Sequence, residues 1–257
     1  MMETNRLSEL VKSWLYEAGD RIKQALSQPL EMTEKTDRTD IVTNVDREIE
    51  QFFVNKIVEY FPNDRVLGEE GTNRYLEQET ERTWIIDPID GTLNFYKQQD
   101  YFCLMLAIEQ ESGESLGFIY ELMRDELLWG GEASGVYLND VLVKPPANQT
   151  LVEGIVSLNS GMLLENTFAL QTVAKQAIGV RMVGCAGIGI KEVLLGKQAA
   201  YISYLQPWDF AAGRIMAKSL GIVVAEMNGQ ELTMTQRQAV IFATPATYEE
   251  IKKMQEL

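Results

Sequence analysis

The 257-residue sequence contains no histidine, and that one absence removes much of enzyme chemistry. Without imidazole there is no His-based catalytic triad, no phosphohistidine intermediate and no His-ligated zinc. Cysteine is almost as scarce. Cys103 and Cys185 are too few for a zinc cluster, neither belongs to a CxxC pair, and their separation does not suggest a disulfide framework. They read as reduced packing residues of a cytoplasmic protein. A resident metal is therefore expected on oxygen ligands, which means a hard ion such as magnesium. No stretch approaches the ~18 uninterrupted apolar residues of a membrane span. Met1-Met2-Glu3-Thr4-Asn5-Arg6 carries charge and lacks an apolar core of signal-peptide length. Basic residues are also short: 23 Lys and Arg stand against 38 Asp and Glu, a formal net charge of −15. Such a surface repels phosphate backbones and anionic lipid, so neither nucleic acid nor a membrane is the expected partner.

What is present is ordinary in amount and uneven in arrangement. The composition is 46% hydrophobic and 24% charged, and the length fits one large domain or two smaller lobes. Residues 40–90 hold 13 carboxylates against five basic side chains, more than half of the net charge. Glu77, Glu79 and Glu81 read as solvated; Asp87 and Asp90, embedded among apolar and turn residues, do not. Apolar positions recurring at three and four predict a helix over 5–27, and a second follows a cap at Thr43 or Asn44 and stops at Pro62. Val66-Leu67-Gly68 and Trp84-Ile85-Ile86 read as strands, the latter emptying into a turn at Asp87-Pro88. Residues 101–138 read as an antiparallel meander. Pro145-Pro146-Ala147-Asn148 marks the expected boundary between a lobe over 1–147, carrying most metal ligands, and a lobe over 148–257, carrying substrate contacts and Asp209. Beyond it the pattern predicts strands at 154–158, 179–183, 199–204, 222–226 and 239–243. Helices are expected near 162–177, 186–196, 209–219 and 247–256, an alternation that layers helices on a sheet.

The densest chemical signal is Trp84-Ile85-Ile86-Asp87-Pro88-Ile89-Asp90-Gly91-Thr92-Leu93-Asn94-Phe95. Pro88 denies Asp87 a helical conformation, so the two aspartates sit at the mouth of a strand and not on a helix face. Like charges this close are costly without a cation between them, and one or two divalent ions remove the repulsion. Gly91 allows a ligand close to the backbone, and a helix starting at Asp90 or Gly91 would aim free amides at an anion. Three further features are bland alone: Gly68-Glu69-Glu70-Gly71, Asp209 at a helix entrance in Pro207-Trp208-Asp209-Phe210-Ala211-Ala212-Gly213, and Asp46 in the first turn after Thr43.

Together the segments WIIDPIDGTLNF, GEE, WDFAAG and DIVTNVD resemble, in order and approximate spacing, the inositol monophosphatase family of magnesium-dependent, lithium-sensitive sugar-phosphate phosphatases. The resemblance covers nearly the whole chain. It implies an α+β fold, a layered αβαβα sandwich with an antiparallel-rich N-terminal sheet and a second C-terminal α/β lobe. It also implies a homodimer and two or three Mg2+ per site. Glu69, Asp87, the Ile89 carbonyl, Asp90 and Asp209 match the family's metal ligands, with Glu70 beside them. Thr92 matches the residue that orients the attacking water and Asp46 its hydrogen-bonded partner. The amides of Gly91 and Thr92 match the phosphate donors, and Gly184, Cys185 and Ala186 with Asp90 match the substrate contacts. Lys35 matches a position near the outer metal in some members.

The residues alone point to the same chemistry, since a metal pair lowers the pKa of water and neutralises phosphate oxygens. No covalent route is offered. Histidine is absent, Cys185 lacks the arginine of a CX5R loop, and Asp87-x-x-Asp90 is not the spacing of an aspartyl-phosphatase. The expected activity is hydrolysis of a small sugar or polyol phosphate. Fructose 1,6-bisphosphate, NADP and 3′-phosphoadenosine 5′-phosphate are rival substrates, and a regulatory protein that keeps the fold is the rival from another class. One departure bears on specificity: members selective for inositol phosphates carry a glutamate seven residues before the WD aspartate, where this chain has Ile202, with Ser203 as a partial substitute.

Overall fold

Leu7, Val11, Trp14, Leu15, Ala18 and Ile22 form one buried face of helix α1 (Met2–Ala25), as their spacing requires. The computed structural model describes residues 2–35, 41–74 and 80–255, so Asp40 of the DIVTNVD motif and the acidic Glu77 and Glu79 lie outside the described residues. After α1 come a short antiparallel pair, β1 (Met32–Glu34) and β2 (Ile41–Thr43), and helix α2 (Asn44–Tyr60). Thr43 caps α2: its hydroxyl accepts from Val45 N while the Asp46 carboxylate accepts from Thr43 N, a reciprocal capping box.

Strands β3 (Arg65–Gly68), β4 (Asn73–Arg74) and β5 (Arg82–Asp90) precede the short helix α3 (Thr92–Gln98). The meander follows as β6 (Cys103–Gln110), β7 (Leu116–Glu121), β8 (Glu126–Gly131), β9 (Gly135–Leu138) and β10 (Val141–Leu142). These eight strands form one sheet in the order β10-β9-β8-β7-β6-β5-β3-β4, antiparallel throughout except for the parallel pair β3 and β5. The remainder alternates: β11 (Ile155–Leu158), α4 (Ser160–Leu164), α5 (Leu170–Gln176), β12 (Gly179–Arg181), α6 (Ala186–Leu194), β13 (Ala200–Leu205), α7 (Pro207–Leu220), β14 (Val223–Glu226), β15 (Gln238–Ala243) and α8 (Pro245–Gln255). A second sheet orders its strands β12-β11-β13-β15-β14, the first three parallel and β15 antiparallel to both neighbours.

The period of two in the strands sets the layers. In β6, Leu104, Leu106 and Ile108 join the core under α1 and α2, while Cys103, Met105 and Ala107 join the core that holds α6 and α7. In β13, Tyr201 and Leu205 face α6 and α7, while Ala200 and Ile202 join a third core with α4, α5 and α8. The result is a mixed α/β fold of five layers, αβαβα. Helices α6 and α7 lie between two sheets, which is why α6 is buried on nearly every side. No helix among the described residues is long and apolar enough to cross a membrane.

Two expectations change. Strand β5 does not stop at Asp87; it runs through Pro88 to Asp90 with an irregularity, because Asp87 pairs with Met105 and Asp90 with Cys103. Three steps on β5 oppose two on β6, a bulge of one residue centred on a proline that has no ladder donor. The single helix expected over 162–177 is broken into α4, a 3-10 turn at Thr167–Ala169 and α5, with Asn166, Phe168 and Ala169 at positive φ.

Candidate active site

The bulge in β5 decides where the two aspartates go. Residues three apart on a regular strand point to opposite faces; one extra residue brings Asp87 and Asp90 to the same face, the one that meets α6 and α7. Strand β3 is parallel to β5 and ends beside it, and Glu69 N donates to the Ile86 carbonyl at 3.1 Å. Glu69 and Glu70 thus emerge next to the aspartates. Glu50 of α2 fixes this loop from below, accepting from Glu70 N at 2.7 Å, Thr72 N at 3.1 Å and the Thr72 hydroxyl at 2.7 Å.

Four helix starts converge on the same point. The start of α2 supplies Asp46, which is fully buried and accepts from Thr43 Oγ1 at 2.5 Å through Oδ2 and from Thr92 Oγ1 at 3.0 Å through Oδ1. Gly91 precedes α3 with φ of 85°, a left-handed conformation in which no side chain caps the helix. The start of α6 holds Asp90: Ala186 N donates to Oδ1 at 3.1 Å, and Gly187 N and the Cys185 thiol donate to Oδ2 at 2.5 and 3.0 Å. Asp209 belongs to the first turn of α7 and accepts from Gln206 N at 2.8 Å. Positive helix ends favour the carboxylates that face them and any anion placed between them.

The carboxylates are nonetheless uncomfortable as they stand. Burial pushes Asp87 well above the usual carboxylate range, and Glu69, Asp90 and Asp209 push it further. Burial, then Asp90 and Glu69, does the same to Asp209. Glu69 is raised by burial against the pull of Lys35, and Asp90 by burial against its thiol and amide donors. Asp46 rises to about 6, burial outweighing the two threonines. Lys35 bridges Glu69 and Glu70 at 3.0 and 2.5 Å. Asp87 Oδ1 is buried with no hydrogen-bond partner among the described residues. The oxygen donors of Glu69, Asp87, Asp90 and Asp209 repel one another and one is orphaned, a set whose chemistry fits a hard divalent cation.

A cavity of about 470 Å³ opens above these groups, lined by Glu69, Asp90, Gly91, Thr92, Gly184 and Asp209 and walled by Lys35, Tyr204, Gln206, Trp208 and Arg237. Residues from both halves of the chain therefore meet here. Cys185 and Ala186, expected against the substrate, are buried and direct their donors at Asp90, while Gly184 lines the cavity. Ile202 is buried in the third core and Ser203 Oγ accepts from Asn159 Nδ2 at 3.2 Å, so neither lines the cavity. The wall on that side is Tyr204, with the Arg237 guanidinium 5.5 Å from its ring.

Sequence reasoning gave no role to Asn94, although it lies inside the strongest motif. Its amide donates to Tyr101 O at 3.0 Å and Val183 O at 2.8 Å, tying the loop before α6 to α3. Glu50, Tyr204, Gln206 and Arg237 carried no sequence signal, because each acts through the fold and stands in no motif.

A sequence profile described as the inositol monophosphatase family matches residues 4–256. The chain is 34% identical over 256 residues to an inositol-1-monophosphatase of Bacillus subtilis, covering 98% of this chain and 97% of that one. Among solved structures, an IMPase/NADP phosphatase complexed with Mg2+ and phosphate superimposes with a TM-score of 0.90 at 29% identity, covering 98% of this chain and 95% of the other. A staphylococcal inositol monophosphatase-1, soaked with LiCl and described as an inhibitory complex, also gives a TM-score of 0.90, at 30% identity over 98% of this chain and 94% of that one.

Proposed function

The chain belongs to the inositol monophosphatase family of phosphoric monoester hydrolases, and from that premise we propose that it hydrolyses a small sugar or polyol phosphate with magnesium in the carboxylate site. The observation that carries this reading is the bulge that turns Asp87 and Asp90 to one face, beside Glu69 and Asp209 and beneath the start of α3. A bound divalent cation supplies charge to neutralise phosphate oxygens and makes a water molecule more acidic. The protein's own groups do the rest. The first-turn amides of α3 receive the phosphate at Gly91 and Thr92. Thr92 Oγ1 has its proton committed to Asp46 Oδ1 at 3.0 Å or the Ile89 carbonyl at 2.9 Å, so towards the cavity it acts as an acceptor. It orients the attacking water, takes the proton that water loses, and passes its own to Asp46, whose pKa of about 6 suits a base near neutrality. Neither thiol is a nucleophile: burial pushes Cys103 up to about 12 and Cys185 well above its ordinary value. Direct in-line hydrolysis follows.

A second reading keeps the chemistry and changes the substrate. The cation of Arg237 beside Tyr204 at the cavity wall favours a phosphate ester with a further anionic or aromatic part, such as a bisphosphate or NADP. A phosphate-release screen with magnesium over inositol 1-phosphate, fructose 1,6-bisphosphate, NADP and 3′-phosphoadenosine 5′-phosphate separates the two. Release from none of them overturns both. Similarity to the lithium-soaked relative supports inhibition by lithium. Family membership supports a homodimer and a cytoplasmic setting; sedimentation of the purified chain tests the former.

A further inference from the structure

Cys103 and Cys185 are 82 positions apart in sequence, yet their sulfurs stand 3.7 Å apart. Strand pairing sets Cys103 opposite Asp90, and Cys185 is the cap of α6, whose first amides grip the same carboxylate. Asp90 Oδ2 lies 3.6 Å from Cys103 Sγ and 3.0 Å from Cys185 Sγ. We propose that Cys103 and Cys185, with Asp90 shared from the carboxylate site, form a second site for a soft divalent cation such as zinc or cadmium, which shuts off the hard-metal site by taking Asp90 from it. The inhibitory part rests on the phosphatase reading; the binding part does not.

The spacing decides between a shared cation and a disulfide. Around a tetrahedral zinc with Zn–S of about 2.3 Å and Zn–O of about 2.1 Å, two sulfurs lie about 3.8 Å apart and a sulfur lies about 3.6 Å from an oxygen. Two of the three edges found here match, and the Cys185–Asp90 edge opens by roughly half an ångström on binding. A disulfide would instead need the sulfurs at about 2.05 Å, a far larger closure within close packing. Residue 187 must be glycine for this packing: a Cβ there would fall 2.5 Å from Cys103 Sγ, 2.8 Å from Met105 Sδ and 3.2 Å from Asp90 Oδ2. Sulfur donors select zinc or cadmium over magnesium. Binding releases one proton from each thiol to water, leaving two thiolates and one carboxylate around the dication. Both thiols are buried and only Asp90 of the three ligands lines the cavity, so a cation has to enter past that carboxylate.

The test uses the full, reduced chain with magnesium present and cadmium as the probe, because cadmium–thiolate bonds absorb in the ultraviolet. The expected result is a charge-transfer band that saturates at one cadmium per chain, with turnover lost along the same titration. Cys103→Ser, which keeps a hydroxyl near Asp90 but removes a sulfur, gives a band of about half the intensity and needs about tenfold more cadmium for equal inhibition relative to its own cadmium-free rate. Absence of the band, or an unchanged titration in Cys103→Ser, overturns the site. A band formed without loss of turnover overturns the inhibitory role. Should the variant fail to fold, X-ray absorption of the cadmium-loaded wild-type chain decides: two sulfur neighbours per cadmium are expected, and oxygen neighbours alone overturn the site. Failure of the phosphatase reading shows separately, as no turnover with magnesium before any cadmium is added.

Discussion

Thr92 is the residue on which the chemistry turns, because its one proton has two acceptors, Asp46 and the Ile89 carbonyl, and the residue lines the cavity. Thr92→Val should lower kcat by about 10²–10⁴ while KM changes little, and it should cost about 1–3 kcal/mol of stability because buried Asp46 Oδ1 loses its hydroxyl donor. Steady-state kinetics on a substrate found by the screen checks this, and an undiminished kcat would remove Thr92 from the mechanism. Asp87 makes the complementary case. Its unpartnered Oδ1 and three carboxylate neighbours mean that the ionised side chain costs stability until a cation arrives. Asp87→Asn should therefore melt at the same or a higher temperature than wild type in EDTA. It should lose the gain in melting temperature that magnesium gives wild type, which for a ligand at a hundredfold its Kd corresponds to about 2.7 kcal/mol. A lower melting temperature in EDTA would show that Asp87 is satisfied by the protein alone.

At the scale of elements, the site is a meeting of helix starts and strand ends, and that explains what the sequence could disclose. The motif residues Asp87, Asp90, Gly91 and Thr92 were legible because proline, glycine and carboxylates at short spacing have few uses. That both aspartates share a face was not legible: a run read as ending at Asp87 gives no sign of a bulge, which depends on the partner strand. Ile202 shows the converse error, since counting back from Asp209 assumed a cavity-facing position, and the alternation of β13 turns that side chain into the opposite core. The long helices and the meander followed from periodicity, whereas β1, β4 and β10 are too short to have any. Helix α6 adds a prediction of its own. Lys191 is fully buried and meets Glu121 at 2.5 Å and Glu126, clamping α6 to β7 and β8. Lys191→Met should cost about 3–5 kcal/mol in urea unfolding, because Glu121 stays buried with Arg124 as its remaining ion partner. A cost below about 1 kcal/mol would show that the ion pair contributes specificity and little stability.

For the molecule as a whole, the acidity visible in the composition becomes a statement about pH. The protein carries −15, but what matters for folding is the handful of carboxylates whose pKa is raised in the native state. Asp46 rises from 3.8 to about 6, with burial as the main cause, and Glu69, Asp87, Asp90 and Asp209 move in the same direction. A raised pKa means that the native state holds its proton more tightly than the unfolded chain does. The stability this gives is complete below the unfolded value and is lost as pH climbs through the native one. Asp46 alone is then worth about 3 kcal/mol at low pH, and that contribution is gone above roughly pH 6. Glu17, Glu126 and Glu153 shift the other way; Glu17 and Glu153 are solvated and contribute little, and Glu126, which Lys191 lowers against its partial burial, offsets only part of the buried cluster. The melting temperature in EDTA should accordingly fall as pH rises from about 4 to 7, against the trend of a protein whose carboxylates are paired. Magnesium should remove most of that fall, since a dication replaces the protons that the cluster otherwise retains. Calorimetric scans at several pH values, with and without magnesium, read both effects; a melting temperature that rises with pH in EDTA would mean that the carboxylates are already compensated within the chain.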